Sequence, residues 1–150
     1  MNLNESMLVD LYELTMGCGF FKAGKADEQA FFYHSFRRYP FKGGYAIASG
    51  MAHLARVIED FHFSQEDIDS LAELKGVNGK ALFYAEFIDY LANLKLSLDI
   101  NSVREGSVVF PGEPMVLVRG SIIECQLIET LLCNIVNFES LIATKASRVC

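Results

Sequence analysis

Residues 121–150 read SIIECQLIETLLCNIVNFESLIATKASRVC, and their apolar side chains recur at helical spacing on most sides. A helix that is hydrophobic nearly all round has to be enclosed by other structure. The stretch ends without a capping glycine, a proline or a polar tail after Val149. We therefore expect these 150 residues to be the N-terminal part of a larger protein, with much of its chemistry beyond Cys150.

The composition also favours a protein that buries apolar surface against more protein. Hydrophobic residues make up 51% of the chain, and the mean hydropathy is +0.23, an excess that fits a subunit or a fragment. No run of about 18 apolar residues is free of charge, so no membrane span is expected. The N-terminus has no basic region and no cleavage-like site, so no secretory signal is visible.

Charge and cysteine usage narrow the class of protein. The net charge of −6 and the pI of about 5.0 argue against nucleic acid or anionic lipid as the main partner. None of the four cysteines forms a Cys-x-x-Cys pair, which argues against zinc and thioredoxin chemistry. The simplest location is a reducing cytosol, so we expect a cytoplasmic protein.

Periodicity along the chain predicts an α+β fold. Before residue 95, helices are predicted at 8–23, 46–61, 64–76 and 80–94. Strands are predicted at 28–38, 96–100, 107–110 and 115–119. Ser6 and Ser64 are the expected N-caps of the first and third helices, with Asp67 as a capping-box acid and Gly24 as the first helix's stop. The C-terminal stretch is expected to form two helices that meet near Asn137.

No self-sufficient catalytic group of residues is visible, and we assign no catalytic residue and no metal ligand. His34, His53 and His62 lie in different predicted elements, without the spacing typical of metal ligands. The densest positive cluster of the first half is formed by Arg37, Arg38 and Lys42. A solvated strand end is the favoured interpretation of this cluster, and an anion site is the alternative.

Three further sets of polar residues stand out in the sequence. Asp10 and Tyr12 diverge by about 200° on a helix, so they do not share a face. Asp10 fits a helix start, and Tyr12 fits either a core or a ligand contact. In the C-terminal helices Thr144 and Arg148 share a face. A second polar stripe there has to find hydrogen-bond partners, most simply in a loop: Gln126, Thr130, Asn134 and Asn137.

Five motifs occur in an order that resembles the N-terminal portion of nicotinate phosphoribosyltransferases. They are Asp10-Leu-Tyr-Glu-Leu-Thr-Met16, Phe36-Arg-Arg-Tyr-Pro-Phe-Lys-Gly-Gly-Tyr45, Val109-Phe-Pro-Gly-Glu-Pro114, Gln126-Leu-Ile-Glu-Thr-Leu-Leu132 and Ala143-Thr-Lys-Ala146. The similarity covers nearly the whole chain. Within the first motif, Glu13 stands where a glutamine is common in the family.

The resemblance implies a fold and an activity. The fold is the N-terminal α+β domain of a type II phosphoribosyltransferase, residues 1–136, followed at 137–150 by the first helix leading into an irregular α/β barrel that is otherwise missing. The implied reaction is the first step of nicotinate salvage toward NAD. In it, nicotinate displaces pyrophosphate from phosphoribosyl pyrophosphate to give nicotinate mononucleotide, with ATP hydrolysis coupled through a phosphorylated histidine.

The resemblance also implies where substrates bind. The family's active sites lie at a homodimer interface, where Tyr12 would stack on the nicotinate ring in the neighbour's barrel and Asp10 would support the same pocket. ATP and Mg²⁺ would act in the full-length enzyme, and this segment alone is expected to bind neither and to be inactive. The phosphohistidine and the phosphate-binding loops are expected outside these residues.

Two alternatives stay open. A nicotinamide phosphoribosyltransferase shares the Asp-x-Tyr arrangement of Asp10 and Tyr12. A non-catalytic binding module would be built around the strands at 96–120, whose glycine and proline turns are typical of compact domains that present a surface.

Overall fold

The computed structural model describes residues 5–150 and contains six α-helices and five strands in that range. The helices are α1 (Leu11–Lys22), α2 (Met51–Glu59), α3 (Gln65–Glu73), α4 (Ala85–Ala92), α5 (Ile122–Leu127) and α6 (Glu129–Val149). The strands are β1 (Gln29–His34), β2 (Ala46–Ile47), β3 (Asp99–Ser102), β4 (Val108–Val109) and β5 (Val116–Ser121). Short 3-10 turns lie at Glu5–Met7 and Pro40–Lys42. The α+β prediction is confirmed.

The strands form two antiparallel sheets. The larger has the order β1-β5-β3, and the smaller pairs β2 with β4. Side chains of β5 alternate: Val116 and Val118 are buried, whereas Leu117 is 48% exposed. Such alternation is expected for a strand with one face on the core and one face outward. None of the helices in residues 5–150 is long and apolar enough to cross a membrane.

Helices α5 and α6 separate two hydrophobic clusters. Ile123, Leu127 and Leu131 pack into a cluster with α1, α3 and α4. Ile128 and Leu132 pack into a second cluster, with the buried faces of the sheets. Other elements of this chain therefore enclose α5 and the first half of α6, as their apolar sequence requires. In the second half Phe138, Ile142 and Val149 remain exposed.

Several predicted boundaries are wrong because tertiary pairing overrides local pattern. The helix expected at 46–61 begins at Met51, since Ala46 and Ile47 pair with β4. The strand expected at 28–38 ends at His34, and the helix expected at 80–94 begins at Ala85. Gly24 does stop α1, with a φ of 68°. Ser6 does not cap that helix. It is buried, and its Oγ accepts a hydrogen bond from the His62 backbone N–H.

The junction of the C-terminal helices lies at Ile128 rather than near Asn137. Helix α5 ends at Leu127 and α6 begins at Glu129, so no helix starts at residue 137. Helix α6 runs through the predicted division between 1–136 and 137–150 without a break. The division itself stays a prediction.

Polar side chains of α6 hold the segment that contains β2. The Thr144 Oγ1, 0% exposed, accepts a hydrogen bond from the Ile47 backbone N–H at 2.8 Å. The Ser140 Oγ accepts one from the Ser49 backbone N–H at 3.0 Å. The Arg148 guanidinium donates to the Tyr45 carbonyl at 2.9 Å and lies over that ring. The shared face of Thr144 and Arg148 therefore binds backbone within this chain.

Replacing Thr144 by valine is expected to lower the free energy of unfolding by about 1–3 kcal/mol, because the Ile47 N–H loses its acceptor. Urea unfolding followed by circular dichroism measures the change. Ser147→Ala is the matched control: that side chain is exposed, and its loss is expected to cost less than about 0.5 kcal/mol. Equal effects of the two substitutions would contradict this role of Thr144.

Candidate functional site

A cleft of about 890 Å³ lies between the end of β1 and the two C-terminal helices. Aromatic rings line it on the side of β1, among them Phe32 and Phe36. Its polar lining includes His34, Arg37, Arg38, Glu129, Cys133 and Asn137. Apolar walls with a few polar groups are typical of small-molecule sites.

His34 is fixed in this cleft as a neutral imidazole. Its Nε2 lies 3.0 Å from Asn137 Oδ1, and its Nδ1 lies 3.8 Å from Cys133 Sγ. An amide oxygen only accepts, so Nε2 carries the proton and Nδ1 is left as an acceptor. Burial lowers the pKa of His34, against a smaller opposing effect of the Asn137 hydrogen bond. The ring therefore presents a lone pair and not a positive charge.

The thiol of Cys133 is held in its protonated form. Burial raises its pKa, and the negative charges of Glu129 and Glu13 raise it further. A protonated thiol is a poor nucleophile, so the grouping of Cys133, His34 and Asn137 does not describe an activated cysteine.

Alkylation by iodoacetamide at pH 7.5 is expected to separate the four free cysteines. Cys150 is exposed and should react first. Cys133 should react at least about tenfold more slowly than Cys150, because little of its thiol is present as thiolate. Cys18 and Cys125 are buried, and the pKa of Cys125 is raised to about 11, so both should react only after unfolding. Peptide mass spectrometry over time gives the order. Equal rates at Cys133 and Cys150 would mean that the cleft favours a thiolate.

The first turn of α1 lies beside this cleft and shows two contrasting sides. Asp10, at the N-cap position, is exposed, and Tyr12 is 45% exposed, so the interpretation of Tyr12 as a core residue is wrong. The pKa of Tyr12 is raised by loss of hydration and then by a hydrogen bond to the Glu129 carboxylate. Because Glu129 also lines the cleft, the tyrosine hydroxyl is tied to the cleft wall.

Glu13, on the opposite side of that turn, is fully buried. Its Oε1 accepts hydrogen bonds from the Thr130 backbone N–H at 2.9 Å and from the Thr130 hydroxyl at 2.7 Å. Its Oε2 accepts one from the Asp10 backbone N–H at 3.1 Å. Glu13 thereby joins the start of α1 to the start of α6.

The positive cluster predicted from the sequence is divided in the structure. Arg37 and Arg38 line the cleft and are exposed, whereas Lys42 lies outside its lining, in the turn that follows. Two guanidinium groups at one opening can bind a phosphate or a carboxylate through paired N–H donors.

The polar stripe of the C-terminal helices finds partners on helices and a strand rather than in a loop. Thr130 bonds to Glu13, Gln126 donates to Glu129 at 2.9 Å, and Asn137 bonds to His34, while Asn134 is exposed. The sequence pattern missed Glu129 and the combination of His34 with Asn137, because residues 103 positions apart carry no local signal of proximity.

The other two histidines are engaged elsewhere. His53 Nδ1 lies 2.7 Å from Glu139 Oε1, and His62 Nδ1 lies 2.7 Å from the Asp60 carbonyl. Within residues 5–150, no group of three or more His, Cys, Asp or Glu side chains is placed to hold a metal ion.

Comparison with solved structures defines the class of protein. The chain superposes on the crystal structure of human nicotinic acid phosphoribosyltransferase with a TM-score of 0.83 and 36% identity, over 93% of this chain and 27% of that one. The fold is also similar to that of a nicotinate-nucleotide pyrophosphorylase from Pyrococcus furiosus, with a TM-score of 0.59 and 12% identity, over 89% of this chain and 25% of that one. The α+β arrangement is thus the N-terminal part of a phosphoribosyltransferase.

Sequence comparison gives the family. Residues 7–137 match the model of the nicotinate phosphoribosyltransferase N-terminal domain. A relative from Caenorhabditis elegans named nicotinate phosphoribosyltransferase is 40% identical, and the match covers 98% of this chain and 26% of the relative. A relative of the same name from Bacillus subtilis is 38% identical, and the match covers 96% of this chain and 28% of the relative. The chain belongs to the nicotinate phosphoribosyltransferase family. It spans about a quarter of the length of these relatives.

Proposed function

We propose that this domain, within a polypeptide as long as its relatives, transfers the phosphoribosyl group from phosphoribosyl pyrophosphate to nicotinate, with ATP hydrolysis. The product is nicotinate mononucleotide, and the proposed context is cytoplasmic NAD salvage. The observation that carries the proposal is the family match over residues 7–137. The half-exposed Tyr12 beside a cleft lined by Arg37 and Arg38 supports it.

Tyr12 and Asp10 are proposed to bind the pyridine base in the partner subunit of a homodimer. The outer side of α1 supports this, because Leu8, Leu11 and Met16 are 53%, 54% and 43% exposed around Tyr12. Contiguous apolar surface of this kind marks an interaction site. A tyrosine held in such a contact stacks on the flat base and fixes its nitrogen opposite the ribose carbon, which lowers the entropic cost of the reaction.

We propose that Mg²⁺, which the proposed reaction implies, is held mainly by groups outside this domain. The ion takes oxygen ligands, and residues 5–150 bring no suitable group of acidic side chains together. We therefore assign it, together with the phosphorylated histidine, to sequence outside this domain. The contribution of this domain is to orient the base, with Arg37 and Arg38 as the cations near the cleft.

The test is an assay of the polypeptide expressed from the complete reading frame. We expect it to form nicotinate mononucleotide from radiolabelled nicotinate and phosphoribosyl pyrophosphate, faster with ATP, and to use nicotinamide poorly. A preference for nicotinamide would favour the nicotinamide phosphoribosyltransferase alternative. If the polypeptide transferred the phosphoribosyl group to neither base, the proposed reaction would be wrong and a non-catalytic binding module would be favoured. Residues 1–150 alone serve as the inactive control.

A further inference from the structure

Two helix N-termini converge on one buried side chain, the carboxylate of Glu13. The Thr130 N–H belongs to the first turn of α6, and the Asp10 N–H lies at the N-cap of α1. Both point at this carboxylate, together with the Thr130 hydroxyl. First-turn N–H groups have no partner within their own helix and stabilise an anion. One side chain therefore caps the N-termini of two helices.

The bonding pattern favours the ionised form of Glu13. Three donors meet its two oxygens, and a protonated acid would turn one of those oxygens into a fourth donor. The other groups facing it are titratable as well: Glu129 and Cys133 from α6, and Asp10 and Tyr12 from its own helix. Burial is the largest of the effects that raise the pKa of Glu13, and Glu129 adds to it.

Tyr12 is held from both of its sides by this arrangement. Its sequence neighbour Glu13 fixes the backbone of the turn against α6 through Thr130, and its own hydroxyl lies toward Glu129, whose charge raises the pKa of Tyr12. Glu129 in turn accepts a hydrogen bond from Gln126. Without Glu13, the first turn of α1 would lose its side-chain hydrogen bonds to α6.

We propose that Glu13 is a positioning residue for the pyridine base, which acts by fixing the turn that carries Asp10 and Tyr12. The inference rests on the proposed function of this site. Glu13 touches no substrate. It sets the place from which Tyr12 reaches the base, so its loss affects binding of the base more than binding of phosphoribosyl pyrophosphate.

Glutamine at this position makes a specific prediction possible. The amide oxygen of Glu13→Gln can accept both Thr130 bonds, whereas its NH2 group cannot accept from Asp10. The variant keeps the link to α6 and does not titrate. Glu13→Ala loses all three bonds. Glu124 is the matched control, because it is also a buried glutamate at the third position of its helix, where it accepts from the Ser97 and Ser121 N–H groups.

The experiment measures KM for nicotinate and for phosphoribosyl pyrophosphate with the polypeptide from the complete reading frame. Glu13→Ala is expected to raise KM for nicotinate about tenfold or more and to change the other KM less than about twofold. Glu13→Gln should stay within about threefold of the wild type at pH 7.5. On acidification, KM for nicotinate should rise in the wild type, since protonation of Glu13 displaces one donor, and should rise less in Glu13→Gln. Glu124→Gln should leave the ratio of the two KM values unchanged.

Two outcomes would overturn the role of Glu13: equal changes in both KM values, or the same pH profile in wild type and Glu13→Gln. A second readout keeps the inference separate from the proposed function. With tyrosine labelled by ¹³C at Cζ and Tyr12→Phe used for assignment, Glu13→Ala should shift the Tyr12 resonance and Glu124→Gln should not. An unmoved resonance contradicts positioning. A shifted resonance in a polypeptide without transferase activity refutes only the proposed reaction.

Discussion

Replacing Phe87 by alanine is expected to lower the free energy of unfolding by about 3–5 kcal/mol, the range measured for deleting a fully buried aromatic ring. Phe87 is 0% exposed. Its ring centroid lies 5.7 Å from those of Phe21 and Phe83 and 6.1 Å from that of Tyr90. These rings join α4 to the end of α1, so the substitution leaves a cavity between the two helices.

The same ring packs against a glycine within α1. A Cβ added at Gly17 would lie 3.5 Å from the Phe87 ring and 3.6 Å from the Ile123 side chain, whereas a Cβ at Gly19 would meet nothing within 4 Å. Side chains of the core therefore pack against α1 at Gly17 and not at Gly19. Phe87 supports the helix that presents Tyr12.

Urea unfolding of the purified protein measures the effect of Phe87→Ala. Phe31→Ala is the control, since the same ring is removed from a position that is 71% exposed, and a change below about 1 kcal/mol is expected there. A loss at Phe87 no larger than that at Phe31 would mean that α4 is not part of the cooperative core.

Elements with local signals were predictable from the sequence. The capping box of α3 is an example: the Ser64 N–H donates to the Asp67 carboxylate at 2.8 Å, and the Asp67 N–H donates to the Ser64 hydroxyl at 3.2 Å. Both partners lie within one helical turn, so the residue types alone specify the bonds. The left-handed Gly24 that ends α1 is predictable for the same reason.

Elements that depend on distant partners were not predictable. Residues 46–47 continue a helical pattern, yet they pair with Val108 and Val109 as a strand, because a ladder and burial outweigh a weak helical preference. The junction of α5 and α6 was misplaced because apolar residues on most sides of both helices hide the break in periodicity. Two cores, one on each side, explain that pattern.

The residues of the candidate site also divide into those that the sequence points to and those that depend on distant partners. Tyr12 and Asp10 were named through a family resemblance, and their substrate roles stay predictions. Glu13 was noticed only as an exception to a motif, since its partner Thr130 is 117 positions away. Glu129 was named only as a member of the Gln126–Leu132 motif, because its importance lies in its position between Tyr12 and the cleft.

Tyr12→Ala in the polypeptide from the complete reading frame is expected to raise KM for nicotinate about tenfold to a hundredfold. KM for phosphoribosyl pyrophosphate should change less than about twofold. The reason is that a stacked ring orients the flat base and has no counterpart on the sugar phosphate. Because Tyr12 is 45% exposed, its loss should change the free energy of unfolding by less than about 1 kcal/mol. Steady-state kinetics with each substrate varied in turn gives both constants.

Tyr12→Phe separates the ring from its hydroxyl. Stacking needs only the ring, so this variant should bind nicotinate within about threefold of the wild type despite losing the Glu129 contact. Since the ring is proposed to serve the partner subunit, the specific activity of the wild type should fall when dilution separates the dimer. Small, equal changes in both KM values for Tyr12→Ala would remove the stacking role. Constant specific activity through dissociation would instead place Tyr12 in its own subunit's pocket.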